Sequence, residues 1–195
     1  MTQTVTDERD GAQPNNGNTV TLLSRIEQDW RRIRPDLDAA PMLTGLLLDR
    51  LGSAFARHVE QTYSDEGINS SNWDLLLTLL RSAPAQGLTH TELSEMTAIS
   101  GPSMTNRVTR LLDKGLVERV VSAKDRRSAL VRLTPQGREL VERLLPEHIE
   151  REQQALSVLT AGEIDALTRI ALKIVGHLEV GAAEQADTAL VDTGT

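Results

Sequence analysis

Residues 89–133 read THTELSEMTAISGPSMTNRVTRLLDKGLVERVVSAKDRRSALVRL, and the rest of the chain is best read outward from them. Thr89 and Glu92 have the spacing of a capping box, in which each side chain satisfies a free backbone N–H of the other's residue. The short helix behind them carries Leu93, Met96 and Thr97 and reaches about Ala98. Ser100, Gly101 and Pro102 make a turn and a new helix start, because proline in a first turn has no useful N–H to lose. That second helix runs to Lys114 and stops at Gly115. Two β-like runs follow, Leu116–Val121 and Ala129–Leu133, joined by the charged turn Ser122–Ser128. They read as a hairpin with a basic tip.

Helix, tight turn, helix and hairpin is the winged helix-turn-helix order. The second helix divides into two faces. Met104, Val108, Leu111 and Leu112 fall on one side and are expected to pack inward. Ser103, Asn106, Arg107, Arg110 and Lys114 fall on the other, with Thr105 also in the exposed first half. Short hydroxyl and amide groups approach base edges, and arginine forks onto guanine or phosphate. An amphipathic surface helix explains the same periodicity. It does not explain a polar face with no acidic group before Lys114, or the basic hairpin behind it. Ser103, Thr105, Asn106, Arg107 and Arg110 are the expected DNA contacts on the helix, and Lys124, Arg126 and Arg127 those on the hairpin tip. Asp125 beside the turn can hold an arginine poised for a narrow minor groove. A solvated charged turn is the plainer alternative.

The net charge of −7 opposes nucleic-acid binding only on average. Residues 100–133 hold eight basic side chains against three acidic ones, a local +5, so the remainder carries −12. Screening over about 8 Å at physiological salt hides the distant negative charge from that face.

Outside this lobe the chain reads as helices between polar tails. Residues 1–18 and 181–195 are expected to be disordered. Residues 19–87 hold three helices. The first carries Leu22, Leu23, Ile26, Trp30 and Ile33 and is stopped by Pro35. The second opens at Pro41 and reaches about Tyr63. The third starts near Ser71 with Trp73, Leu76, Leu77 and Leu80. Residues 135–180 hold two more. One is capped by Thr134 and perturbed by Pro146, and one sits behind a second capping box, Thr160 and Glu163. The expected fold is mainly α with a small β-hairpin wing: a winged helix-turn-helix lobe over residues 88–134, flanked by helical regions.

Composition narrows the function. Hydrophobic residues make up 39% of the 195 and charged residues 25%, the balance of a globular protein, while aromatics at 2% are too few for an ordinary all-β fold. There is no cysteine, which excludes disulfides, thiolate metal sites and thiol nucleophiles. His58, His90, His148 and His177 lack metal-ligand spacing. Asn69-Ser70-Ser71 matches a glycosylation acceptor, which means nothing without secretion. No phosphate-binding glycine loop, serine triad or acid–base cluster can be assembled, so neither an enzyme nor a cofactor is expected. Apolar runs are too short to span a bilayer and the N-terminus is polar, so a cytoplasmic setting is expected.

The chain resembles the MarR family of winged-helix regulators over roughly residues 22–180. Gly115-Leu116-Val117-Glu118-Arg119, Asp125-Arg126-Arg127 and Leu133-Thr134-Pro135-Gln136-Gly137 carry the likeness. Ile26-Glu27-Gln28-Asp29-Trp30, Asn72-Trp73-Asp74-Leu75-Leu76-Leu77 and Ile99-Ser100-Gly101-Pro102-Ser103 are similar to its urate-responsive branch.

The resemblance implies a homodimer whose N- and C-terminal helices interlock, with two recognition helices on a palindromic operator in double-stranded DNA. It implies a repressor relieved by urate or a related purine, bound by Trp30, Asp74, Arg107 and Arg119. Urate is a flat anion, and tryptophan and arginine offer it a flat face and a forked cation. Each residue also has a plainer reading: Trp30 as helix core, Asp74 as a helix cap, Arg107 as a phosphate clamp, Arg119 as an exposed strand residue. A regulator with another small anionic or phenolic ligand, and a non-regulated architectural DNA binder, are the alternatives.

Overall fold

The structure is a computed structural model and describes residues 16–97, 101–121 and 129–192. Seven α-helices, a short 3-10 helix at Ser64–Glu66 and one hairpin occur among them: α1 Asn16–Ile33, α2 Ala40–Glu60, α3 Ser70–Ser82, α4 His90–Thr97, α5 Gly101–Asp113, β1 Val117–Val121, β2 Ala129–Leu133, α6 Pro135–Leu156 and α7 Ala161–Asp192. The expected fold class holds. The chain divides into two compact units, Met1–Ala54 and Phe55–Thr195, with the division inside α2.

The first unit is helical. The apolar stripe of α1 is half-buried at Leu22, Leu23, Ile26 and Trp30, and Ile33 is exposed. Arg31 pairs with Glu27 one turn back at 2.6 Å, and Arg50 of α2 donates to the Thr19 hydroxyl at 3.4 Å. Met42, Leu47, Leu48 and Leu51 leave α2 with an exposed apolar surface.

The second unit holds the core. Trp73, Leu75, Leu76 and Leu79 of α3, Leu93 of α4, Met104, Val108 and Leu111 of α5, and Val131 of β2 are all sealed from solvent, as are Val141 and Leu144 of α6. The hairpin is antiparallel, with Val117 opposite Leu133 and Arg119 opposite Val131. Leu88 adds a short third rung by exchanging both backbone hydrogen bonds with Val131, at 2.9 and 2.7 Å. The turn that delivers it closes on Gly87, at φ +100°, a conformation with little cost only for glycine.

The junction of α5, β1 and α6 is tightly built. Gly115, at φ +69°, ends α5 in a Schellman motif: Leu116 N–H donates to the Leu111 carbonyl and Gly115 N–H to that of Leu112. Thr134 caps α6 by accepting from Gly137 N–H at 3.0 Å and donates its own hydroxyl to the Gly115 carbonyl at 2.7 Å. A Cβ at Gly137 would collide with the Leu116 carbonyl, so glycine is required there for close approach.

Both capping boxes form: Thr89 N–H donates to Glu92 and Thr160 N–H to Glu163, at 2.7 and 2.8 Å. The Thr89 and Thr160 bonds hold both carboxyls below the usual range.

Three boundaries differ from the sequence reading. α1 begins at Asn16, inside the stretch read as a tail. α7 continues past Gly181 to Asp192, because Ala182, Ala183, Ala186 and Ala189 supply helix propensity that outweighs one glycine. Asp74 is not a helix cap. Asn69 is, its side chain accepting from Asn72 N–H at 2.9 Å, which leaves Asp74 a full turn inside α3.

Behind α3, Tyr63 stacks on Trp73 at 5.0 Å between centroids, and His148 of α6 meets the Trp73 edge at 5.3 Å. Burial raises the Tyr63 hydroxyl to about 12, with the charges of Glu60 and Glu152 adding to it. Burial pushes His148 below the ordinary 6.5, opposed by Glu152 at 3.4 Å. The unfolded chain therefore takes up this proton at a higher pH than the folded one, and stability falls as pH drops below about 6.5. The thermal midpoint is expected to be lower at about pH 5.5 than at about pH 7.5, with a smaller drop in His148→Gln. An equal drop in the variant would remove His148 as the cause.

Candidate nucleic-acid interface

The inner stripe of α5 holds the helix against the core and thereby fixes which side faces out. Thr105, Asn106 and Arg110 are exposed, while Ser103 and Arg107 are half-buried. The Thr109 hydroxyl turns back to the Thr105 carbonyl at 2.9 Å, so it adds no donor to the outer face. Lys114, just past the helix, donates to the Glu66 carbonyl at 3.0 Å, and Arg143 of α6 pairs with the Glu66 carboxylate at 2.7 Å.

Arg107 reaches sideways. Its Nη1 donates to the Ser71 carbonyl of α3 at 3.4 Å. Ser71 precedes Asp74 by three residues, so the two share a face of α3. Asp74 itself is exposed.

On the hairpin, Arg132 pairs with Glu118 directly across the ladder at 2.8 Å. This neutral pair subtracts one cation from the basic tally of residues 100–133. Arg119 is exposed on β1 and lies near His90. Burial first, and the Arg119 charge second, push the His90 imidazole below its ordinary range. The tip residues Lys124, Arg126 and Arg127 lie outside the described residues.

Asp74, Arg107 and Arg119 thus belong to one compact unit, and the helices of the first two are joined directly. Trp30 is half-buried on α1 of the other unit. Sequence reasoning missed the Glu66 hub, the Ser71 contact and Asn72, which is 3% exposed with its side-chain oxygen unpartnered. Among the described residues no three histidine or carboxylate side chains cluster as a metal site, and no helix is long and apolar enough to cross a membrane.

A sequence profile described as the MarR family matches residues 66–128. The HTH-type transcriptional regulator PecS of Dickeya dadantii (strain 3937) is 31% identical over 156 residues, spanning 80% of this chain and 94% of that protein. The chain belongs to the MarR family.

Other transcriptional regulators are similar too. The transcriptional repressor MprA of Escherichia coli (strain K12) is 32% identical over 118 residues, 58% of this chain and 64% of its own length. The crystal structure of Sco3205, a MarR family transcriptional regulator from Streptomyces coelicolor in complex with DNA, superimposes with a TM-score of 0.64 at 27% identity. It covers 72% of this chain and 88% of that one. The protein is a MarR-family DNA-binding transcriptional regulator, and its relatives and fold are those of regulators, not of enzymes.

Proposed function

We propose that this regulator is a homodimeric repressor whose hold on a palindromic operator is loosened by urate or a related purine anion. The Arg107–Ser71 contact carries the reading, because it joins the DNA-facing helix to the helix bearing Asp74. An anion drawn to Arg107 and repelled by Asp74 pushes on both helices at once. MprA carries the word repressor in its name, which supports the sign of the control. In this reading residues 19–87 supply the ligand pocket and, with residues 135–180, the dimer contacts, and residues 88–134 read the DNA.

Dimerisation is supported by the apolar residues that α7 leaves outside on one face: Leu167, Ile170, Ile174 and Leu178 are 39%, 54%, 41% and 64% exposed. Stripes of this kind are rare on monomers and common on obligate interfaces, which bury above about 2,000 Å². Light scattering at micromolar concentration is expected to give twice the 21.4 kDa chain mass. A monomer would sink this part of the reading.

DNA contact is assigned to Ser103, Thr105, Asn106, Arg107 and Arg110 on α5 and to Lys124, Arg126 and Arg127 on the wing tip. Arg110 tests it most cleanly, since it is exposed and its loss leaves the core intact. Arg110→Ala is expected to weaken DNA binding and to reduce the slope of log affinity against log salt by about one, read by gel shift across a salt series. An unchanged slope would remove Arg110 from the phosphate contacts.

The ligand switch requires urate to bind the two states of the dimer with different affinity, a coupling of about 1–3 kcal/mol. Trp73 is locked in the aromatic stack, so Trp73→Phe leaves Trp30 as the only tryptophan and the only such reporter. Urate is expected to change Trp30 fluorescence and to release upstream DNA in a gel shift. Asp74→Asn is expected to bind urate yet release DNA poorly. If millimolar urate does neither in the parent protein, the urate assignment fails and the reading retreats to a MarR-type regulator of unknown ligand.

A further inference from the structure

At about 3.6 residues per turn, Asn106 falls opposite the midpoint of the stripe of Met104, Val108 and Leu111. It therefore stands at the crest of the outer face of α5. Three of its neighbours on that face are committed elsewhere. Arg107 leans on the Ser71 carbonyl, Ser103 is half-buried, and the Thr109 hydroxyl is spent on the Thr105 carbonyl. The Asn106 amide is exposed and makes no hydrogen bond among the described residues. It holds a donor and an acceptor side by side in one plane, and it has no charge to draw it to phosphate.

Two further features fix how that crest meets a duplex. Asp113, two turns further along the same line, is exposed and in no ion pair among the described residues. Phosphates repel its carboxylate, which keeps the end of α5 out of a groove and leaves the earlier turns, with Asn106 and Arg110, to enter. Thr109 lies one turn on from Asn106 and is exposed. With its hydroxyl turned back to the helix at 2.9 Å, it offers its methyl group outward. Residues three apart on a helix stand about 5–6 Å from one another. Successive bases of a strand are about 3.4 Å apart, so Asn106 and Thr109 reach neighbouring base pairs.

We propose that Asn106 reads an adenine in the major groove, donating to N7 and accepting from the N6 amino group, with the C5 methyl of a neighbouring thymine against the Thr109 methyl. Guanine offers an acceptor, O6, in place of the amino group, so the Asn106 carbonyl would face another acceptor in a desolvated contact. Arg110 holds phosphate and sets the register without reading sequence. This rests on α5 being the DNA-facing helix, as assigned above, and on nothing in the urate reading.

Duplexes that the full chain selects from a randomised pool supply the probe. Asn106→Ala, run through the same pool, is expected to lose about tenfold in discrimination of A·T from G·C at one base pair. Its slope of log affinity against log salt is expected to stay that of the parent, since no charge is removed. Replacing the adenine by 7-deazaadenine keeps the base pair and removes N7. That exchange is expected to weaken the parent and to make no difference to Asn106→Ala. Replacing the neighbouring thymine by uracil removes only the methyl, and is expected to weaken the parent several-fold and Thr109→Ser not at all. Arg110→Ala is expected to bind all sequences more weakly and to keep the adenine preference. Asn106, Thr109 and Arg110 are all exposed, so these variants leave the core intact. If Asn106→Ala selects the same sequences as the parent while Arg110→Ala binds more weakly, the base reading falls and the placement of α5 on DNA survives. A uniform loss in Asn106→Ala with a lower salt slope makes it a backbone contact and likewise overturns the proposal. If Asn106→Ala and Arg110→Ala both bind as the parent does, α5 is not the DNA-facing helix, and both readings are overturned.

Discussion

Met104, Val108 and Leu111 have no solvent exposure at all, and the geometry of the winged helix-turn-helix lobe hangs on their burial. Each contributes about 1.5–3 kcal/mol by leaving water. An isolated helix of 13 residues is marginal in water, so this packing, more than propensity, keeps α5 folded. The same burial sets its rotation. With one stripe held on α3, α4 and β1, the stripe of Thr105, Asn106 and Arg110 has no side left but the outer one.

The wing depends on that helix through its far end. Gly115 reverses the chain in the left-handed region, and the reversal places the Leu116 and Gly115 carbonyls where Thr134 and Gly137 of α6 meet them. One turn therefore ties α5, the hairpin and α6 together. α6 follows β2 directly in the chain and is hydrogen-bonded through Thr134 to the turn before β1, and the Glu66 hub links it to Lys114. In the function proposed for this chain, these links are the route by which events at α3 or α6 change how α5 meets DNA.

Charge tells a more selective story than the count of basic residues. Arg132 is spent on Glu118 and Lys114 partly on Glu66, while Arg107 leans on the backbone of α3. Among the described residues of the lobe, Arg110 and Arg119 remain the exposed cations of α5 and β1. Arg110 also borders a cleft lined by Asn72.

By itself the sequence determined the helices, both capping boxes, the glycine stop of α5, the hairpin and the division of α5 into an apolar and a polar face. These features are encoded within three or four residues, where helix period, caps and turn chemistry operate. The family likeness was legible too. Only the tertiary structure decided that Asn69 and not Asp74 caps α3, that Leu88 adds a rung to the hairpin, and that Arg107 reaches Ser71. The last contact joins residues 36 apart and the Lys114–Glu66 contact residues 48 apart, distances along the chain at which no local pattern records a partner. Which polar groups end buried, as at Asn72 and His148, was hidden for the same reason: burial is a property of what packs on top of a residue, and that comes from elsewhere in the chain.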